Sequence, residues 1–185
     1  MAVDPEWISH LHDNVAAPER CPKPVIAQLH GYCLGVGLEL ALACDFRIAA
    51  DDTQIGLPEI TLGMIPGSGG SQRIVQMVGV GRAKDMVMRG RRLKADEAHR
   101  WGLLTEVHPR DELDAAVAAL ADDMASRPSV ALRTLKRVLN QAPNAPLSIG
   151  MELEGLAYGL LRSTEDFAEG VAAFTEKRKP EWRDR

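Results

Sequence analysis

The sequence predicts an α/β fold, with strands and helices alternating over residues 1–126 and a wholly helical region over residues 127–185. Three observations carry this. Apolar runs of strand length, such as VIAQLHG and FRIAA, alternate with segments of helical spacing. Glycine-rich turns lie between them. After Pro109 the strand pattern stops, and apolar residues recur every three or four positions.

The elements follow in order. WISHLHDNV predicts a short helix or the tail of a longer one. Pro22 and Pro24 break the chain before VIAQLHG, whose unbroken apolar character suits a buried strand. Gly35 and Gly37 mark a tight passage into a helix over about residues 37–44. FRIAA is the next strand, and TQIGLPE a shorter one ended by Pro58, which puts Glu59 at a strand end. GMIPGSGGSQR is a turn opening a helix that runs to about Val78, and a further helix covers 81–88. In RRLKADEAHRWGLLTEV, Asp96 and Glu97 suit the first turn of a helix ended by Gly102, with a strand over 103–107 behind it.

In the helical region Leu113, Val117, Leu120 and Met124 share one stripe. Pro128 suits the first turn of the next helix, whose Leu132, Leu135 and Leu139 share a face, and Pro146 opens a third. The last helix takes a cap running from Ser163 to Asp166. It carries a stripe of Phe167, Val171 and Phe174, and sets Lys177, Arg178 and Lys179 at the negative end of its dipole.

Hydrophobic residues are 45% of the 185 and charged residues 26%, so the chain can bury one sizeable core. Aromatics are only 4%, which leaves the core to Leu, Val, Ile, Ala and Met. A net charge of −4 gives no footprint for nucleic acid or an anionic membrane, so neither is an expected partner. Cys21, Cys33 and Cys44 form no CxxC pair; neither a disulfide framework nor a metal site is expected, and a reducing compartment fits. The first residues lack the apolar stretch of a signal peptide, and no run of 18 apolar residues could span a bilayer. The expected address is cytoplasmic.

Two residues stand out against this background. Over residues 24–44 the only formal charge at neutral pH is Glu39, and between Asp52 and Arg73 it is Glu59. A buried lone carboxylate costs several kcal/mol unless it is paired, hydrogen-bonded or protonated. Either glutamate alone fits a hydrogen-bonded structural role. Together they suggest a site, because two carboxylates in one apolar cleft oppose each other's ionisation, so that one can hold a proton while the other acts as a base. Each lies near a glycine-loosened helix start. Free N–H groups there suit an anion or a developing oxyanion, although the same glycines also serve as plain turns. GVGLEL lacks the third glycine of a dinucleotide fingerprint, and GSGGSQR lacks the lysine of a phosphate-binding loop. His99 and His108 have no partner at metal-ligand spacing. Arg133, Lys136 and Arg137 read as a basic helix face that is either solvated or set against phosphates.

The stretch KPVIAQLHGYCLGVGLELALACDFRIAADDTQIGLPEITLGMIPGSGGSQR resembles the crotonase, or enoyl-CoA hydratase/isomerase, superfamily. RRLKADEAHRWGLLTEV and EDFAEGVAAFTEKRK continue the resemblance to the C-terminus. It implies a spiral of ββα turns, with a C-terminal helical region that assembles trimers or dimers of trimers. It implies acyl-CoA thioester substrates of the kind met in fatty acid metabolism, with CoA carried by the substrate and no separate cofactor. By resemblance, Glu39 deprotonates the water adding at the β-carbon and Glu59 delivers a proton to the α-carbon. Both carboxylates together imply a hydratase, or a dehydratase in reverse, over an isomerase. Val36 occupies the position of an oxyanion-donating amide beside Gly35. Gly67 matches a glycine whose amide lies near the reacting centre, and Phe174 and Lys177 match positions that help close the CoA pocket.

Two departures bear on this. Val36 stands where the family usually has glycine, and its branched side chain narrows the space for the thioester. No part of residues 1–22 matches the Gly-Ala-Asp-like loop that supplies the other oxyanion donor, so the spiral is expected to be incomplete at its N-terminus. The alternative expectation is a catalytically weak or inactive member of the family that binds acyl-CoA or acts by association.

Overall fold

The computed structural model describes residues 5–184. The chain divides into two compact units. One holds the described residues up to Cys21 together with Val25–Ala121, and the other holds Pro22–Pro24 with the described residues from Asp122 onward.

The first unit begins with helices α1 (Pro5–Val15) and α2 (Ala17–Arg20). Strands β1 (Ile26–Leu29) and β2 (Tyr32–Leu34) lead into helix α3 (Val36–Leu42). Strands β3 (Phe46–Ala50) and β4 (Gln54–Gly56) lead through a 3₁₀ turn, Glu59–Leu62, into helix α4 (Gly70–Met88). Strand β5 (Arg92–Lys94), helix α5 (Ala95–Trp101), strand β6 (Glu106–His108) and helix α6 (Leu113–Ala125) follow. Two strands followed by a helix thus occur twice, as β1-β2-α3 and β3-β4-α4, before strands and helices alternate singly. Corresponding strands of successive units stack, giving a parallel sheet in the order β1-β3-β6. The second sheet, β2-β4-β5, is parallel between β2 and β4 and antiparallel between β4 and β5.

Ile48, Ala49, Ala50 and Ile55 are fully buried, as strands covered on both faces require. Leu38, Leu57, Ile74, Met86 and Leu93 join Ile55 and Ala49 in one core cluster. Burying each large side chain contributes about 1.5–3 kcal/mol. Arg47, on β3, is buried in a different way. Its guanidinium donates to the carbonyls of Ala41 (3.2 Å), Cys44 (2.7 Å) and Leu103 (2.7 Å), so it closes the C-terminal end of α3 and ties it to the chain after α5. Cys21, Cys33 and Cys44 are free thiols; burial, and secondarily Cys44, pushes Cys33 up to about 11.

Several elements differ from the sequence expectation. α4 is not one of them, since non-helical Gly79 (φ 75°, ψ 161°) divides it into the two helices expected on either side. Beyond Gly102, the Leu103 N–H turns back to the carbonyl of Ala98 to finish α5. The strand therefore starts at Glu106 instead of 103. Strands β2 and β5 have no counterpart in the expectation.

The second unit contains α7 (Ser129–Gln141), α8 (Leu147–Arg162) and α9 (Glu165–Glu176). The cap of α9 is Thr164, whose Oγ1 accepts from the Phe167 N–H; Ser163 donates instead to Leu160 at the end of α8. Lys136 is buried and its Nζ donates to the carbonyl of Lys23, so it does not belong to a solvated basic face. The described C-terminal residues strap back onto this unit. Asp166 accepts from the Arg183 and Asp184 N–H groups, and the Trp182 indole N–H donates to Ser126.

Candidate active site

Glu39 lies in the first turn of α3 and is 2% exposed. Parallel pairing of Leu34 with Gly56 delivers the chain to Gly35, whose N–H donates to the Gly56 carbonyl (3.0 Å). Gly35 then takes φ 55°, ψ −129°, a backbone region essentially reserved for glycine, and swings the chain into the helix. Its own carbonyl accepts from the Glu39 N–H at 3.0 Å. Val36 is the first helical residue, so its N–H has no acceptor within α3. Its side chain is 55% exposed.

The turn entering α4 supplies the partners of Glu39. Oε1 accepts from the N–H groups of Ser68 (2.7 Å) and Gly70 (2.9 Å), both bonds buried. The approach is tight: a Cβ on Gly70 would fall 2.8 Å from Cγ and Oε1 of Glu39. Gly70 opens α4, so one of the helix's free amides, at the positive end of its dipole, meets the carboxylate.

Glu59 opens the 3₁₀ turn, three residues beyond the end of β4, which corrects the expectation of a strand end. Pro58 closes the extended segment and caps the turn. A Cβ on Gly35 would stand 3.3 Å from Oε1 of Glu59, so the glycine that directs α3 also leaves room for this carboxyl. Oε2 of Glu59 is buried and has no hydrogen-bond partner. Burial pushes the Glu59 carboxyl up from its ordinary value; its own backbone N–H opposes this, and the charge of Glu39 pushes it up further. Glu39 is thus anchored by two amides, while burial and the charge of Glu39 raise the Glu59 carboxyl above its ordinary value.

The other expected residues fall as follows. Gly35 and Val36 line the start of α3, next to both glutamates. Gly67 is exposed; its carbonyl accepts from His12 Nε2 at 2.7 Å, and the amides directed at Glu39 are those of Ser68 and Gly70. Phe174, 87% exposed, and Lys177, at the C-cap of α9, belong to the helical unit. His99 bonds to the Leu104 carbonyl and His108 to Glu106, and no three His, Cys, Asp or Glu side chains among the described residues gather as a metal-holding group. Four contributors were not singled out in the sequence: Ser68 and Gly70, whose amides belong to the glycine-loosened helix start, and His12 and Arg73. Arg73 holds Glu19 through Nε (2.5 Å) and Nη2 (3.0 Å) while its Nη1 donates to the Ser68 carbonyl (2.9 Å). The glycine-rich GSGG run could have flagged the two amides; nothing in the sequence marks His12 or Arg73.

The family model described as enoyl-CoA hydratase/isomerase matches residues 6–185. The chain belongs to the enoyl-CoA hydratase/isomerase family. Its fold matches that of an enoyl-CoA hydratase from Bacillus anthracis with a TM-score of 0.92 at 38% identity, covering 100% of this chain and 73% of the other. A Geobacillus kaustophilus enoyl-CoA hydratase structure gives a TM-score of 0.93 at 34% identity, covering 99% and 71%. The fold is therefore the crotonase-like α/β fold. In sequence the chain is 42% identical to the 2,3-dehydroadipyl-CoA hydratase of Escherichia coli over 163 residues, which are 88% of this chain and 64% of that protein. It is 42% identical to the crotonyl-CoA hydratase of Syntrophomonas wolfei over 161 residues, covering 87% and 62%. The chain thus spans less than two thirds of the length of these curated relatives.

Proposed function

We propose that the chain carries the catalytic machinery of an enoyl-CoA hydratase, adding water across the α,β double bond of an acyl-CoA thioester or catalysing the reverse dehydration. The observation that supports it is the contrast between Glu39, anchored by the Ser68 and Gly70 amides, and Glu59, whose buried Oε2 has no partner. Glu39 takes a proton from water as its oxygen bonds to the β-carbon. The π electrons pass to the thioester as an enolate, and the Val36 N–H is a donor to that oxygen. The Glu59 proton goes to the α-carbon, and exchange with solvent resets both carboxyls. CoA arrives on the substrate, and no further cofactor takes part. Phe174 and Lys177 are CoA contacts by resemblance, and both are exposed.

The chain acts as a homo-oligomer, a trimer or a dimer of trimers. Exposed Leu135, Leu139, Leu156, Leu160, Val171 and Phe174 on α7–α9 support this, since one unit leaves them uncovered. Among the described residues no helix is long and apolar enough to cross a membrane, and a cytoplasmic setting in fatty acid metabolism fits acyl-CoA chemistry.

The test is hydration of crotonyl-CoA by the purified chain, followed as loss of absorbance of the conjugated thioester. Turnover that Glu39→Gln abolishes supports the reading. Binding of the thioester with no glutamate-dependent turnover overturns it in favour of a non-catalytic family member.

A further inference from the structure

We propose that His12 is a positioning residue for Glu39, acting through a single peptide group. His12 Nε2 lies 2.7 Å from the Gly67 carbonyl oxygen. That oxygen carries no proton, so Nε2 is the donor. The Gly67 carbonyl and the Ser68 N–H are the two ends of one conjugated peptide unit. The far end of the unit donates to Glu39 Oε1 at 2.7 Å. The result is a relay running from imidazole through peptide to carboxylate.

A donor on a peptide oxygen draws electron density from the nitrogen and makes its N–H a stronger donor, by about 10–30% per bond in such chains. The relay thus tightens the bond that fixes Glu39, and an exposed side chain on α1 reaches a carboxylate that is itself buried. Arg73 steadies the same turn from the next peptide, holding the Ser68 carbonyl while it grips Glu19 on α2. His12 therefore governs the orientation of one peptide plane. Without it the Gly67–Ser68 unit can tilt away, because no other donor to the Gly67 carbonyl is seen among the described residues.

The kinetic part of this inference rests on the hydratase reading; the coupling itself does not. The test compares the full chain with His12→Phe, which keeps a ring and removes the donor, and His12→Gln, whose amide can donate to the same oxygen. Two readouts are taken: the Ser68 amide proton shift by TROSY NMR, and kcat and KM on crotonyl-CoA. Expected is an upfield move of the Ser68 amide in His12→Phe that His12→Gln reverses. With it, kcat should fall about three- to tenfold at unchanged KM, as for weakening rather than deleting one charge-assisted hydrogen bond, again restored by Gln. Should His12→Phe not fold, His12→Asn, whose shorter amide falls short of Gly67, reads the same quantities. A Ser68 shift that does not respond overturns the proposal, as does a shifted amide with kcat unaltered in an active enzyme. An inactive wild-type chain whose Ser68 amide still responds refutes the hydratase reading and leaves the relay standing.

Discussion

The carboxyls of Glu39 and Glu59 are near enough for the charge of one to raise the other, and they differ in their hydrogen bonding. Oε1 of Glu39 takes two backbone amides, at 2.7 and 2.9 Å, whereas Oε2 of Glu59 is buried with none. Gly35 sits between them, its carbonyl bonded to the Glu39 N–H and its α-carbon facing Glu59. The difference separates the two roles and makes each glutamate separately testable.

Glu39→Gln and Glu59→Gln should each lower crotonyl-CoA hydration by about 10²–10⁴, the usual worth of a general acid or base. Gln preserves volume, so circular dichroism should be unchanged. Activity retained in both variants would reject the two-carboxylate assignment.

Stability should respond to pH through Glu59. Its folded carboxyl lies above the ordinary value of 4.5, so the folded state holds a proton that the unfolded chain releases first. Stability from this group is fully present below about 4.5 and is lost as pH rises through the folded value. Glu59→Gln removes that dependence. The variant should melt above wild type at pH 7–8, with the gap closing toward pH 4, while activity is lost.

Gly70→Ala should damage the site without replacing either glutamate. The added Cβ falls 2.8 Å from Glu39 Cγ, so the carboxylate or the turn must move. The expected loss is at least about tenfold in kcat with about 1–3 kcal/mol of stability, read by urea unfolding. Wild-type kinetics would show that the turn shifts freely.

Assembly should depend on α7–α9. Light scattering should report a trimer or hexamer for wild type, and Leu139→Glu with Val171→Asp should yield a monomer of unchanged helicity, since 59% and 52% of these residues is already exposed. A monomeric wild type would reject the assembly.

Much of the fold was legible because its signals are local. The apolar run FRIAA and the C-terminal Gly102 of α5 each act within a few residues. Strands Tyr32–Leu34 and Arg92–Lys94 were not legible, since three residues carry no period and both exist only by pairing with β4. Glu39 and Glu59 stood out by charge in apolar surroundings. Their partners did not: the Ser68 and Gly70 donors are backbone groups, which every residue but proline possesses. The cap of α9 fell to Thr164 because Ser163 still has helical backbone as the C-cap of α8 while Thr164 is extended, a one-residue difference that spacing cannot resolve.

Arg47 also bears on the order in which the first unit folds. Its guanidinium closes the end of α3 through Nη1 and reaches through Nε to Leu103, a residue 56 positions further along the chain. The turn that holds Glu39 arrives from 29 and 31 positions away. Contacts of such sequence separation form after the loops between them have closed, so they slow folding and come late. On a ribosome, α3 emerges before its partners, Glu39 meeting its amides only once Ser68 and Gly70 have been made and Arg47 its last acceptor only once Leu103 has. A nascent chain stalled before Leu103 therefore holds both glutamates and the turn that anchors Glu39, but lacks the Leu103 carbonyl that Arg47 takes beside the end of α3.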